Sequence, residues 1–225
     1  MFADEWSGFM KIVKPTVELM SPVDGDAVLR HIERCGRVCY KSEEKITADS
    51  AKDFVRKRIL ENGHESVLEH FSFSVRIICD RGVTHEIVRH RLASYSQEST
   101  RYCNYGKTGE VSFVEPMFRV PYESKLWDES MQHAEEAYLS YIRHGASPQM
   151  ARNLLPNSLK TEIIMTANLR EWRHFFKLRT SPKAHPQMRQ IAIPLLLHMQ
   201  KTIPVVFEDI LVDTVAGMKL AEVLI

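Results

Sequence analysis

Arginine and hydroxyl side chains crowd one segment of this chain, RHRLASYSQESTRY, from Arg89 to Tyr102. Arg89, His90, Arg91 and Arg101 are cationic or can become so. Ser94, Ser96, Ser99 and Thr100 carry hydroxyls, against the single carboxylate of Glu98. Arginine presents a planar fork of donors that suits phosphate oxygens, and it stays charged at any working pH. Hydroxyls and loop amides add neutral donors to the same anion. On a helix, Arg89 and Arg91 would lie about 200° apart at ~100° per residue. Either they reach different ligand groups or the helix ends there; two separate anions, or one large one, suit that geometry.

The competing reading is a solvated basic turn whose arginines pair with Glu86, Glu98 or Glu110. Three further segments weigh against it: MARNLLP around Arg152, ANLREW around Arg170 and FFKLRT around Arg179. Each sets an arginine among apolar residues, where an unpaired charge is costly to hold. GHESVLEH, from Gly63 to His70, adds His64, Glu65, Glu69 and His70, but HExxxEH departs from the HExxH zinc spacing, so no metal is expected. Cys103 beside Arg101 and Ser99 in the loop are possible nucleophiles. No base stands at a recognisable offset and no GxSxG elbow is present, so both are read as non-nucleophilic, with Cys103 in a partly buried strand.

The whole chain frames these residues. It has 225 residues, 44% hydrophobic and 26% charged, with a formal charge of +1. That length and composition describe a soluble globular protein, read as a single domain over 1–225. The near-zero charge supplies no global field for nucleic acid or membrane, so anion selectivity must be local. Cys35, Cys39, Cys79 and Cys103 form no CxxC pair and read as buried free thiols in a reducing cytoplasm. The acidic start MFADEWSGFMK is unlike a signal peptide, and no apolar run approaches the ~20 residues of a membrane span.

The first ~20 residues read as a loosely held lead-in. Asp24 or Asp26 caps a helix with Val28, Leu29, Ile32, Cys35 and Val38 on its inner stripe. A second helix fits Ala48 to Asn62, stopped by Gly63. Phe71 to Ile77 alternates as a strand. Thr84 caps a short helix carrying Glu86 to Arg91, SYSQES is irregular, and Val111 to Glu115 is another strand. Ser124 to His144 is a long helix ended by Gly145. The next starts at Ser147-Pro148 and is limited by Pro156. Leu159 to Thr166 alternates as a strand. Asn168 and Glu171 form a capping-box-like pair for a helix to about Leu178. Pro186 opens a last helix, kinked or broken at Pro194 and Pro204. Helices and strands mix without regular βαβ alternation, which indicates an α+β fold with a mixed sheet and long helices. GxGxxG and GxxxxGK[ST] loops are absent.

In this order, GHESVLEH, RHRLASYSQESTRY, MARNLLP, TANLREW and FKLR resemble the landmarks of the flavin-dependent thymidylate synthases, whose signature is RHR-x7-S. The resemblance spans roughly residues 25 to 205. It implies conversion of dUMP to dTMP. Methylenetetrahydrofolate gives the carbon, FAD carries the hydride and NADPH renews it, in a cytoplasmic homotetramer whose active sites are shared between subunits. By resemblance, Arg89, His90 and Arg91 bind flavin, with Arg89 also near the nucleotide. Ser66 contacts FAD, beside His64 as the active-site histidine. Gln97, Glu98, Ser99, Thr100 and Arg101 form the nucleotide loop, and Gln97 also borders the flavin. Arg152 reaches nucleotide phosphate from a neighbouring subunit, Asn168 and Arg170 contact FAD, and Arg179 binds the uracil ring in its N3-ionised form. Glu86 stands where a Gln can contact nucleotide, His174 where Asn can contact flavin, and Ser96 where Asn is frequent. RTSPKAH, from Arg179 to His185, is longer than in comparable members. The alternatives are a cysteine-nucleophile thymidylate synthase without flavin, a nucleic-acid-binding module built on RHR and its tyrosines, and a nucleotide binder without catalysis.

Overall fold

The computed structural model describes residues 10–118, 120–212 and 219–224. Its centre is a five-stranded sheet in the order β4-β6-β3-β2-β7, comprising Ala93–Gln97, Lys160–Asn168, Ser72–Asp80, Thr16–Leu19 and Glu222–Leu224. The β4/β6, β6/β3 and β3/β2 pairings are antiparallel, and β2/β7 is parallel. Strands β3 and β6 pair over their full length, from Ser72↔Asn168 to Asp80↔Lys160. Their alternation puts Phe73, Val75, Ile77 and Cys79 with Thr161, Ile163, Met165 and Ala167 on one buried face. This face packs on α1 (Gly25–Val38), α6 (Leu169–Arg179), α7 (Pro186–Thr202) and α8 (Pro204–Phe207). Trp172 of α6 is fully buried, stacked on Phe73 with centroids 4.8 Å apart. A smaller cluster ties β5 (Ser112–Val114), which pairs in parallel with β1 (Lys11–Val13), to α4 (Pro121–Arg143) through Phe113, Tyr138 and Leu139.

The α+β reading holds, and so do the helix N-caps at Asp24 and Asn168 and the helix-ending glycines Gly63 and Gly145, both at positive φ. Several expectations are corrected. The lead-in contains two strands, β1 and β2, and Val17 is fully buried; residues 1–9 lie outside the described residues. On α1, Val38 is 52% exposed, while Glu33 is buried because Arg37 and Ser50 satisfy its carboxylate at 2.7 and 2.8 Å. The second helix is α2 (Ser50–Phe54) followed by a π-turn, Val55–Leu60. Asp80, not Thr84, caps α3 (Arg81–Ile87), and the helix ends before Arg89. SYSQ is strand β4, made by pairing with β6 from Ala93↔Ala167 to Gln97↔Ile163. Cys103 lies in irregular chain just after a turn rather than in a strand, and Cys39 is exposed. Pro194 sits inside an unbroken α7; the break falls at Pro204, where α8 starts. Arg152, after the short α5 (Pro148–Ala151), is exposed rather than set among apolar side chains.

One contact makes the helix layer specific. A Cβ built on Gly25, at the start of α1, falls 1.9 Å from the Thr202 carbonyl oxygen at the end of α7. Backbone meets backbone there, so only glycine fits without movement. Gly25→Ala is expected to destabilise the fold by about 1–3 kcal/mol in chemical denaturation; a variant as stable as wild type would contradict this close approach.

Candidate functional site

The basic segment is shaped by two capped elements. Asp80 Oδ1 accepts from the Val83 amide at 2.8 Å and starts α3, which ends at Ile87. The chain then turns through Arg89, His90 and Arg91 into β4. Tyr95 of β4 holds this turn: its hydroxyl donates to the carbonyls of Ile87 and His90 at 2.9 and 2.6 Å. Burial pushes the Tyr95 phenol up to about 12, so it remains a donor. The turn points His90 inward, 3% exposed, and leaves Arg89 and Arg91 at the surface. Neither arginine pairs with Glu86, Glu98 or Glu110. Those carboxylates engage Arg179, Lys160 and Lys11.

His90 packs against α6, its ring edge-on to Phe175 and His174 at centroid distances of 5.0 and 5.3 Å. Its two nitrogens face opposite partners. Nδ1 lies 3.0 Å from Glu171 Oε1, and Nε2 lies 3.0 Å from Arg179 Nε. Arginine can only donate, so Nε2 is the acceptor and the ring proton sits on Nδ1, donated to Glu171. Arg179 also donates from Nη1 to Glu86 Oε2 at 2.7 Å and from Nη2 to the Glu86 carbonyl at 2.9 Å. The result is a four-residue chain, Glu171–His90–Arg179–Glu86, joining α6 to α3. Burial holds the His90 pKa below its usual value; the nearby Arg179 charge acts the same way and the Glu171 hydrogen bond opposes it. One N–H on each terminal nitrogen of Arg179 remains for a ligand.

The remaining sequence-predicted residues divide into surface groups and internally engaged ones. His64 is exposed just before a 3₁₀ turn, Glu65–His70, and Ser66 is exposed within it. Arg170 and Arg173 of α6 anchor that turn to Glu69 and Glu65 at 2.6 and 3.5 Å. His174 is exposed, with Nδ1 3.5 Å from Glu171 Oε2. Asn168 spends its side-chain oxygen on the Glu171 amide. Gln97 donates to Thr84 and Thr161, and Glu98 accepts from Tyr105 at 2.7 Å and Lys160 at 3.0 Å. Thr100 is buried, Ser99 accepts from the Arg101 amide, and Arg101 lies over the Tyr102 ring. Exposed Arg152 stands apart, with no ion pair to a described residue. A cleft of about 220 Å³ beside Glu86 is lined by Asp80, Asn157, His185 and Gln187. Gln187 Nε2 donates to Asp80 Oδ2 at 2.8 Å.

Sequence reasoning missed Asp80, Arg173 and the carboxylate of Glu171. Glu171 was read as the far half of a capping box, but its side chain turns to His90 instead. His90, Glu171 and His174 bring ligand-type atoms within 4.8 Å of one another. Both His90 nitrogens are already engaged, one of them by a cation, so the cluster works as a hydrogen-bond relay.

The chain matches the family model described as thymidylate synthase complementing protein over residues 24–205. A flavin-dependent thymidylate synthase of Geobacter sulfurreducens is 36% identical over 181 residues, covering 77% of this chain and 78% of the relative. One from Pyrococcus furiosus is 40% identical over 172 residues, covering 74% and 69%. Among solved structures, the flavin-dependent thymidylate synthase of Helicobacter pylori, complexed with FAD and dUMP, superposes with a TM-score of 0.70 at 24% identity, over 87% of this chain and 99% of that one. A UMP/dUMP methylase of Streptomyces cacaoi, bound with 5-Br dUMP, gives 0.74 at 24% identity, over 88% and 96%. At these identities the structural likeness speaks for the fold.

The neutral, buried His90 makes stability depend on pH. Its folded pKa is depressed, so the unfolded chain binds a proton that the native state refuses. The contribution is complete above the ordinary value of 6.5 and is lost as pH falls through the lowered one. His198, depressed by burial, acts in the same sense. The loss of Tm between about pH 7.5 and about pH 5.5 is therefore expected to be larger in wild type than in His90→Gln. Equal losses would contradict a neutral native His90.

Proposed function

The chain belongs to the thymidylate synthase complementing protein family, the flavin-dependent thymidylate synthases, and from that premise we propose that it converts dUMP to dTMP at the site built around Arg179. The observation that carries this reading is the fixed guanidinium. Three of its N–H groups are held by His90 and Glu86, so the remaining two have a set direction. A fixed cation beside a uracil carbonyl stabilises negative charge on the ring, including its N3-ionised form, and makes C5 more nucleophilic toward a one-carbon unit. No enzyme thiol need add to C6. In keeping with this, burial pushes the Cys79 thiol well above its usual range, and Cys103 is half-buried with no base among its described contacts.

The donor set fits FAD. Arg89 and Arg91 are exposed and make no ion pair with a described residue, which is what a pyrophosphate site requires before it fills. In this reading they hold the flavin nucleotide with His64, Ser66, His90, Gln97, Asn168, Arg170 and His174 around it. Arg89 also borders the dUMP site, where Glu86, Gln97, Glu98, Ser99, Thr100 and Arg101 line the nucleotide loop. His90 acts there through position, since both its ring nitrogens are engaged within the protein, while Asn168, whose side-chain oxygen is spent on the Glu171 amide, contacts the flavin through its amide N–H groups. FAD, when bound, supplies the hydride that completes the methyl group, with NADPH as reductant and methylenetetrahydrofolate as carbon donor. Arg152 is exposed away from the chain of four, which supports a nucleotide phosphate contact from a neighbouring subunit in a homotetramer of single-domain chains. The enzyme is assigned to the cytoplasm, where free thiols such as Cys39 persist. Among the described residues no helix is long and apolar enough to cross a membrane.

Two measurements test this. The purified protein, given FAD and desalted, is expected to keep a flavin absorbance band that shifts on adding dUMP. A colourless protein would remove the flavin assignment. Arg179→Ala is expected to lower kcat/KM for dUMP by about 100-fold or more while the flavin band persists; unchanged turnover would remove Arg179 from the mechanism.

A further inference from the structure

We propose that Glu171 is a positioning residue for Arg179, acting through the His90 imidazole. The inference rests on the reading of Arg179 as the nucleotide-binding cation. Glu171 is 4% exposed on α6, two turns ahead of Arg179, and the two do not bond each other directly. Its Oε1 takes the Nδ1 proton of His90 at 3.0 Å, which leaves the Nε2 lone pair free for Arg179 Nε–H at 3.0 Å. The opposite tautomer would set an N–H against an N–H at that point and break the contact. A buried carboxylate is the group that settles this choice, because it can accept a hydrogen bond and cannot donate one when ionised.

Every group around the ring is consistent with that role. Phe175 and His174 of α6 pack on it edge-on, Tyr95 of β4 binds the His90 carbonyl rather than the ring, and Arg179 occupies Nε2. Among the described contacts, Glu171 is thus the single acceptor that takes the Nδ1 proton and so holds the ring in the form that Arg179 requires. Its other oxygen lies 3.5 Å from Nδ1 of the exposed His174. One buried carboxylate therefore touches both the inward relay to Arg179 and a residue at the surface of the same site. Loss of its charge frees the imidazole to take the Nε2–H form, and the guanidinium then loses one of its three anchors.

The test is ¹⁵N NMR of the His90 ring in the FAD-loaded protein, together with dUMP affinity and Tm. Wild type is expected to show a neutral ring protonated on Nδ1. Glu171→Gln is expected to populate the Nε2–H tautomer and weaken dUMP binding about 10-fold, as for a lost hydrogen bond to a charged group, with Tm nearly unchanged. A wild-type ring protonated on Nε2 overturns the proposal without recourse to any variant, and an unaltered tautomer in Glu171→Gln does the same. If the tautomer changes and dUMP affinity does not, while Arg179→Ala still weakens dUMP, the positioning role alone fails. If Arg179→Ala leaves dUMP affinity intact, the reading of Arg179 fails and the proposal with it.

Discussion

The hydrogen bond from Arg179 Nε to His90 Nε2 is the constraint on which the site depends. It joins residues 89 apart in sequence, and the sheet makes the meeting possible. Strands β3 and β6 are antiparallel partners, and each runs directly into a helix through an N-cap at its last residue, Asp80 into α3 and Asn168 into α6. The two helices therefore start at opposite ends of the pair. Helix α6 folds back along the sheet, its Trp172 buried against Phe73 of β3. Its final residue, Arg179, thereby arrives beside Glu86 of α3 and the His90 turn. A partly buried guanidinium needs acceptors at that point, and His90 and Glu86 supply them.

This arrangement separates two kinds of cation. Arg179 is held by the protein and can act only at a set position. Arg89, Arg91 and Arg152 lie exposed at the surface, without an ion pair to a described residue. A net charge of +1 hides this division, because the carboxylates nearest the basic segment are spent on internal partners, with Glu98 on Tyr105 and Lys160 and Glu162 on Arg76 and Lys160. Local pairing, rather than net charge, decides where an anion can bind.

The parts of the fold that were legible in the sequence are those whose pattern coincides with burial. Strand β6 alternates cleanly, α1 carries Val28, Leu29 and Ile32 behind an Asp cap, and Gly63 and Gly145 mark helix ends by their positive φ. What stayed hidden depends on distant partners. SYSQ has no apolar period and becomes a strand because β6 offers it an edge. Glu33 looks like a solvent residue and is buried because Arg37 and Ser50 satisfy it. An anion-binding reading of RHR follows from residue types alone; the inward turn of His90, which depends on Tyr95, and the chain from Glu171 to Glu86 do not. No local spacing encodes a contact between positions 93 apart.

The most direct test is a crystal structure of the protein with FAD and dUMP bound. The account predicts the uracil within hydrogen-bond reach of the two free N–H groups of Arg179, with the His90–Arg179 bond retained and Arg89 and Arg91 on phosphate oxygens. A uracil ring bound elsewhere, or an Arg179 still turned only to His90 and Glu86, would contradict it.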